Sequence, residues 1–209
     1  ITPGPAARFG PDDHIVDPQL DSRLGRHRMT THPTPNGATT FGYLSAVESA
    51  EHGFYGGYLL VSPLGRPVEF HCTAPIRPSR AQEILYGPTL QPYLLGEQIA
   101  GTLLATVQTK PKIILTDQPS VLCHRPKSDV PIVYLAPTGD DASSEQILVL
   151  EHAFELPAGF ETDRDAAIAL LTMLGNHVDL SEPFERIHEA IREAQRIGRR
   201  GSDVHGEAA

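Results

Sequence analysis

The stretch FGYLSAVESAEHGFYGGYLLVSPLGRPVEFHCT, residues 41–73, decides the fold. Phe41 to Ser49 reads as a strand, with Phe41, Tyr43 and Val47 as its larger apolar residues. Ala50 to Phe54 carries the glycine expected of a hairpin connection, and Tyr55 to Ser62 forms a second strand around Tyr58-Leu59-Leu60-Val61. Pro63-Leu64-Gly65-Arg66 has the residues of a tight turn. Pro67 to Thr73 then returns, Val68 and Phe70 alternating with Glu69 and His71. Three strands joined by short turns make an antiparallel meander.

Downstream, Pro75 and Pro78 end the meander, and Ser79 is placed to cap a helix from Arg80. Gly87-Pro88 interrupts that helix, because proline removes a donor and its ring crowds the preceding turn. A second helical segment is expected from Thr89 to Val107, on the spacing of Leu94, Leu95, Ile99, Leu103 and Val107. Lys112 to Thr116 is a short buried strand ending at Asp117. Val130 to Leu135 and Gln146 to Leu150 are two more, the latter able to extend through Phe154. Thr162 is expected to cap a helix that Gly175 stops. From Asp179 or Ser181 a last helix presents Phe184, Ile187, Ile191 and Ala194 as one stripe.

The fold class expected is α/β or α+β: a three-strand meander plus further strands, an interrupted central helix and a C-terminal helical pair. Residues 1–40 read as a leader outside the fold, either a disordered arm or translated upstream sequence before Met29. Residues 41–198 form the single domain and 199–209 a tail.

Composition bounds the function. The chain has 209 residues, 40% hydrophobic, enough for one domain with a sizeable core. No run approaches the roughly 18 apolar residues of a membrane span, and no membrane partner is expected. Two cysteines offer no disulfide framework, which points to a reducing cytoplasm. The net charge is −9, and from residue 131 onward fifteen acids face six basic residues. No basic patch stands out, so this balance disfavours a nucleic-acid partner.

Phosphate loops, nucleophile elbows and zinc-protease motifs are absent. Gly53, Gly56 and Gly57 are expected in a hairpin connection, where no helix N-terminus could supply a phosphate cradle. His71-Cys72 and Cys123-His124 resemble two halves of a zinc site, but neighbours on a strand point to opposite faces. A buried cysteine beside a surface histidine is the plainer reading, and no metal or other cofactor is assigned.

Glu83 and Asp117 are the more suggestive pair. Three antiparallel strands, a helix opening Ser79-Arg80-Ala81-Gln82-Glu83, then a strand running into Thr116-Asp117-Gln118-Pro119-Ser120 resembles the ribonuclease-H-like fold. The resemblance covers roughly residues 41–121. It implies a nuclease in which carboxylates from the first strand, first helix and fourth strand hold two divalent ions. Glu83 would then be the helix ligand and Asp117 the ligand after the strand. The sequence departs from that pattern: the first strand has no central acid, and its only one, Glu48, lies near its end. Glu83 also sits one residue late, a rotation of about 100°. The plainer reading makes Glu83 a solvated helix residue and Asp117 a turn residue. Residues 56–95 are also similar to an uncharacterised family of bacterial proteins, with no activity attached.

Two functions follow. The first choice is a non-enzymatic intracellular interaction module, engaging a protein partner through a sheet edge or helix 181–197. The alternative is a metal-dependent nuclease using Glu83 and Asp117.

Overall fold

In a computed structural model, residues 29–30, 39–136 and 146–203 are described. Most of the expected leader, and the end of the expected tail, lie outside those residues. Strand β1 (Met29–Thr30) pairs with β4. The meander follows as β2 (Phe41–Ser49), β3 (Gly53–Val61) and β4 (Pro67–Cys72). Its registers run from Phe41 opposite Val61 to Ser49 opposite Gly53, and from Gly57 opposite Cys72 to Val61 opposite Pro67. Gly53 turns the first hairpin at φ +87°, where a side chain would be strained. Gly56 and Gly57 lie within β3, not in the connection expected from sequence.

Helix α1 (Arg80–Tyr86) is closed at its start by a reciprocal cap. Gln82 N donates to Ser79 Oγ, and Ser79 N donates to Gln82 Oε1. Gly87-Pro88 ends α1 but not the helical path. A 3₁₀ turn (Gly87–Thr89), a π-helix (Pro92–Ile99) and α2 (Ala100–Thr106) follow in succession. The interruption is therefore a change of winding, since proline can occupy the first turn of a helix without losing a bond.

Strand β5 (Ile113–Thr116) then enters beside β2, parallel to it, with Phe41 opposite Ile113 and Leu44 opposite Thr116. A long 3₁₀ segment (Pro119–Lys127) leads to β6 (Ile132–Leu135), parallel to β5. Where the sequence suggests one strand near residue 150, the chain makes a hairpin of β7 (Ile147–Val149) and β8 (His152–Glu155). Leu150 and Glu151 form its tip, both at positive φ. A 3₁₀ turn (Glu161–Asp163) precedes α3 (Arg164–Gly175), in place of the cap expected at Thr162. Helix α4 (Glu182–Asp203) closes the fold.

Among the described residues the result is a mixed α/β fold on one eight-stranded sheet, ordered β1-β4-β3-β2-β5-β6-β8-β7. Alternation along the strands divides the core in two. Phe41, Tyr43, Leu59, Val61, Ile113, Leu115 and Val133 point toward α3 and α4. Leu44, Tyr58, Leu60, Ile114 and Ile132 point toward the π-helix, α2 and the Pro119–Lys127 segment. No helix among the described residues is long and apolar enough to cross a membrane.

Candidate functional site

The centre of the sheet ends in polar residues on one face. In β2 the odd-numbered series Phe41, Tyr43, Ser45 faces α4, and in β5 the matching series Ile113, Leu115 leads to Asp117. Ser45 and Asp117 stand one step beyond Leu44 and Thr116, the last register pair of these parallel strands. The space outside the carboxyl ends of parallel strands is where α/β sheets place their ligands.

Helix α4 supplies the third member. Its apolar stripe, Phe184, Ile187 and Ile191, packs on the sheet, and His188 lies on the same side at four residues from Phe184. The helix can come this close because the residue opposite Ser45 on β3 is Gly57. A Cβ there would overlap Ile187 Cγ2 and lie 3.0 Å from Ile191 Cδ1. Two further contacts fix the position of α4. Tyr43 and Phe184 meet edge to face at 5.1 Å, and the Arg186 guanidinium donates to Gly65 O while pairing with Glu182.

Ser45 Oγ lies 2.8 Å from Asp117 Oδ2 and 2.7 Å from His188 Nε2, and the carboxylate and ring atoms are 3.3 Å apart. Ser45 is fully buried, whereas the Asp117 and His188 side chains are 23% and 32% exposed, so the cluster opens to solvent on one side. A serine hydroxyl has one proton. With Asp117 as carboxylate, that proton goes to Oδ2 and Nε2 of His188 must itself be a donor toward Ser45. Asp117 Oδ1 is buried and has no hydrogen-bond partner among the described residues. This is not a serine-nucleophile triad, which uses one ring nitrogen for the serine and the other for the acid. Here a single nitrogen meets both.

Glu83 is elsewhere. It sits on α1, which buries no residue, and pairs with Arg80 at 2.8 Å. Glu48 is exposed and belongs to the even-numbered series of β2, the face opposite Ser45. The two Cys–His pairs are engaged separately: His71 with Glu69, and Cys123 Sγ with Pro92 O at 3.4 Å. Among the described residues, no group of three or more His, Cys, Asp or Glu side chains is placed to hold a metal ion. The donor set therefore does not fit a two-ion centre: Ser45 stands at the first-strand position, and Asp117 Oδ2 is already hydrogen-bonded.

Of the residues singled out in the sequence, only Asp117 belongs to the cluster. Ser45 and His188 were legible as polar residues interrupting apolar series, Phe41-Tyr43-Ser45 and Phe184-Ile187-His188-Ile191, but neither resembles a motif.

No family model matches this chain, and no curated protein does. Solved structures do. Human ENDOV is similar at 15% identity and a TM-score of 0.43, over 81% of this chain and 91% of that one. Ciona intestinalis endonuclease V, in complex with a DNA containing an inosine followed by a ribo-adenosine, is similar at 13% identity and a TM-score of 0.34. That match covers 54% of this chain and 51% of the other. The likeness is one of layout. Two expectations, the non-enzymatic interaction module and the disfavoured nucleic-acid partner, run against these findings: the similar structures are endonucleases, and one of them is bound to DNA.

Proposed function

We propose that this chain hydrolyses phosphodiester bonds in a nucleic-acid strand, at a centre formed by Asp117 and His188 with Ser45 between them. The observation that carries the reading is an acceptor and a donor held side by side at the open end of β2 and β5. Asp117 Oδ2 and His188 Nε2 lie 3.3 Å apart, and both meet Ser45 Oγ, at 2.8 and 2.7 Å. The order of strands and helix from residue 41 to 121, which resembles the ribonuclease-H-like layout, supports the same reading.

The chemistry asked of these residues is acid–base catalysis. Asp117 would orient the attacking water and take its proton as the water oxygen bonds to phosphorus. His188 would give its Nε2 proton to the departing oxygen as the old P–O bond breaks. Ser45, hydrogen-bonded to Asp117 Oδ2 and His188 Nε2, would then relay the proton from Asp117 to His188 and return both side chains to their starting states. The two free cysteines support a reducing cytoplasm as the setting.

The test is cleavage of end-labelled single-stranded, duplex and hybrid oligonucleotides by the full chain, with Mg²⁺ or Mn²⁺ and with chelator. Cleavage should be lost in Asp117→Asn and His188→Ala and kept in Glu83→Gln. No cleavage of any substrate, or equal cleavage by Asp117→Asn, would overturn the reading.

A further inference from the structure

We infer that Ser45 keeps this centre one carboxylate short of a divalent-cation site, holding Asp117 and His188 as a hydrogen-bonded pair that works without a bound ion. The inference rests on the proposed reading only in placing the centre at these side chains. Three atoms converge within 2.7 to 3.3 Å: Ser45 Oγ, Asp117 Oδ2 and His188 Nε2. The carboxylate oxygen turned into the cluster faces a hydroxyl donor and a ring nitrogen, so an ion there would have to displace both contacts. The neutral Ser45 hydroxyl is a weaker ligand than a carboxylate, because ions such as Mg²⁺ and Mn²⁺ favour charged oxygen donors.

Geometry makes position 45 the deciding one. Ser45 is fully buried and its hydroxyl touches both partners. Glu48 faces the other side of the sheet and Glu83 lies on the exposed α1, so neither can supply the missing ligand. An aspartate at 45 would bring two carboxylates and an imidazole to one point. Two carboxylates so close cannot both stay charged unless a proton or a cation lies between them. The substitution should therefore convert a hydrogen-bonded cluster into a cation-binding one.

The experiment uses Mn²⁺ alone, titrated into the full chain, with the electron paramagnetic resonance signal of free Mn²⁺ as readout. Wild type should leave the signal of the free ion unchanged, as should Asp117→Asn. Ser45→Asp should bind one Mn²⁺ per chain at least about tenfold more tightly than wild type, a difference of roughly 1.4 kcal/mol. Ser45→Asp combined with Asp117→Asn should lose it again. Stoichiometric Mn²⁺ on wild type that disappears in Asp117→Asn would overturn the inference. So would a folded Ser45→Asp protein that binds no better than Ser45→Ala. Should Ser45→Asp fail to fold, the wild-type and Asp117→Asn titrations still decide. Because bound metal is read instead of a broken bond, failure here is distinct from failure of the hydrolase reading.

Discussion

The two faces of the sheet are packed by the same device and differ in what they carry. Consecutive residues of β3, Gly56 and Gly57, point to opposite faces, and each removes a side chain where a helix must come close. A Cβ on Gly56 would overlap Ile99 Cγ2 of the π-helix, and one on Gly57 would overlap Ile187 Cγ2 of α4. Beyond that shared contact the faces diverge. The α4 face places its helix over Ser45 and Asp117 and adds His188. The other face meets wide and narrow turns of helix with Leu95, Ile99, Leu103 and Val121, and one of its histidines, His124, is buried against Gly101. Close packing and the proposed chemistry thus lie on different contacts, and paired substitutions can separate them.

The largest effect should come from the histidines. His188→Ala is expected to lower oligonucleotide cleavage by on the order of 10²–10⁴-fold, the usual contribution of a positioned acid–base group. His124→Gln, on the opposite face, should leave cleavage within about twofold, because it reaches no reacting atom. Comparable losses in both variants would break the comparison, since they would mean that folding, not chemistry, is being read.

The glycines come next. Gly56→Ala and Gly57→Ala should each destabilise the fold by about 1–3 kcal/mol, the range for overpacking a well-filled contact. Chemical denaturation checks that equality. Only Gly57→Ala should also reduce cleavage in conditions where both proteins are folded, because only α4 carries His188 past the displaced contact. Equal residual cleavage in the two variants would show that α4 absorbs the shift without moving its histidine.

These pairs also show what the sequence made legible. The meander was readable because period-two alternation and Gly/Pro turns agree over residues 41–73, and β2, β3 and β4 lie close to the expected bounds. The winding between Gly87 and Ile99 was not. Apolar spacing at Leu94, Leu95 and Ile99 suits an α-helix and a π-helix about equally over so few turns. The hairpin at Leu150–Glu151 lacks the Asn-Gly that marks such tips, so it merged into one strand. For the centre, only Asp117 stood out. Ser45 and His188 gain their meaning from sheet register and from α4 lying over Gly57, contacts between residues as far as 143 positions apart.

The smallest effect concerns protonation on the face without chemistry. Burial pushes the His124 imidazole below its ordinary value, and Lys127 acts in the same direction, against a backbone hydrogen bond at Gly96 and the charge of Glu97. Its Nδ1 is buried without a partner among the described residues, so the folded chain resists taking up a proton there. The unfolded chain, whose histidine titrates near about 6.5, takes one up first. Stability from this group is therefore present above that pH and declines as pH falls toward the lower folded-state value. Thermal melts at pH 7.5 and pH 5 should show a smaller acid-induced drop in His124→Gln than in wild type. The carboxylate of Asp179, held below its usual range chiefly by hydrogen bonds from Ser181, contributes to acid sensitivity in both proteins and cancels in the difference. An identical drop in the two would mean that His124 gains a proton in the folded chain as readily as in the unfolded one. The packing around Gly96 and Gly101 would then have to open as pH falls, and the apparent rigidity of this face would be a property of neutral pH alone.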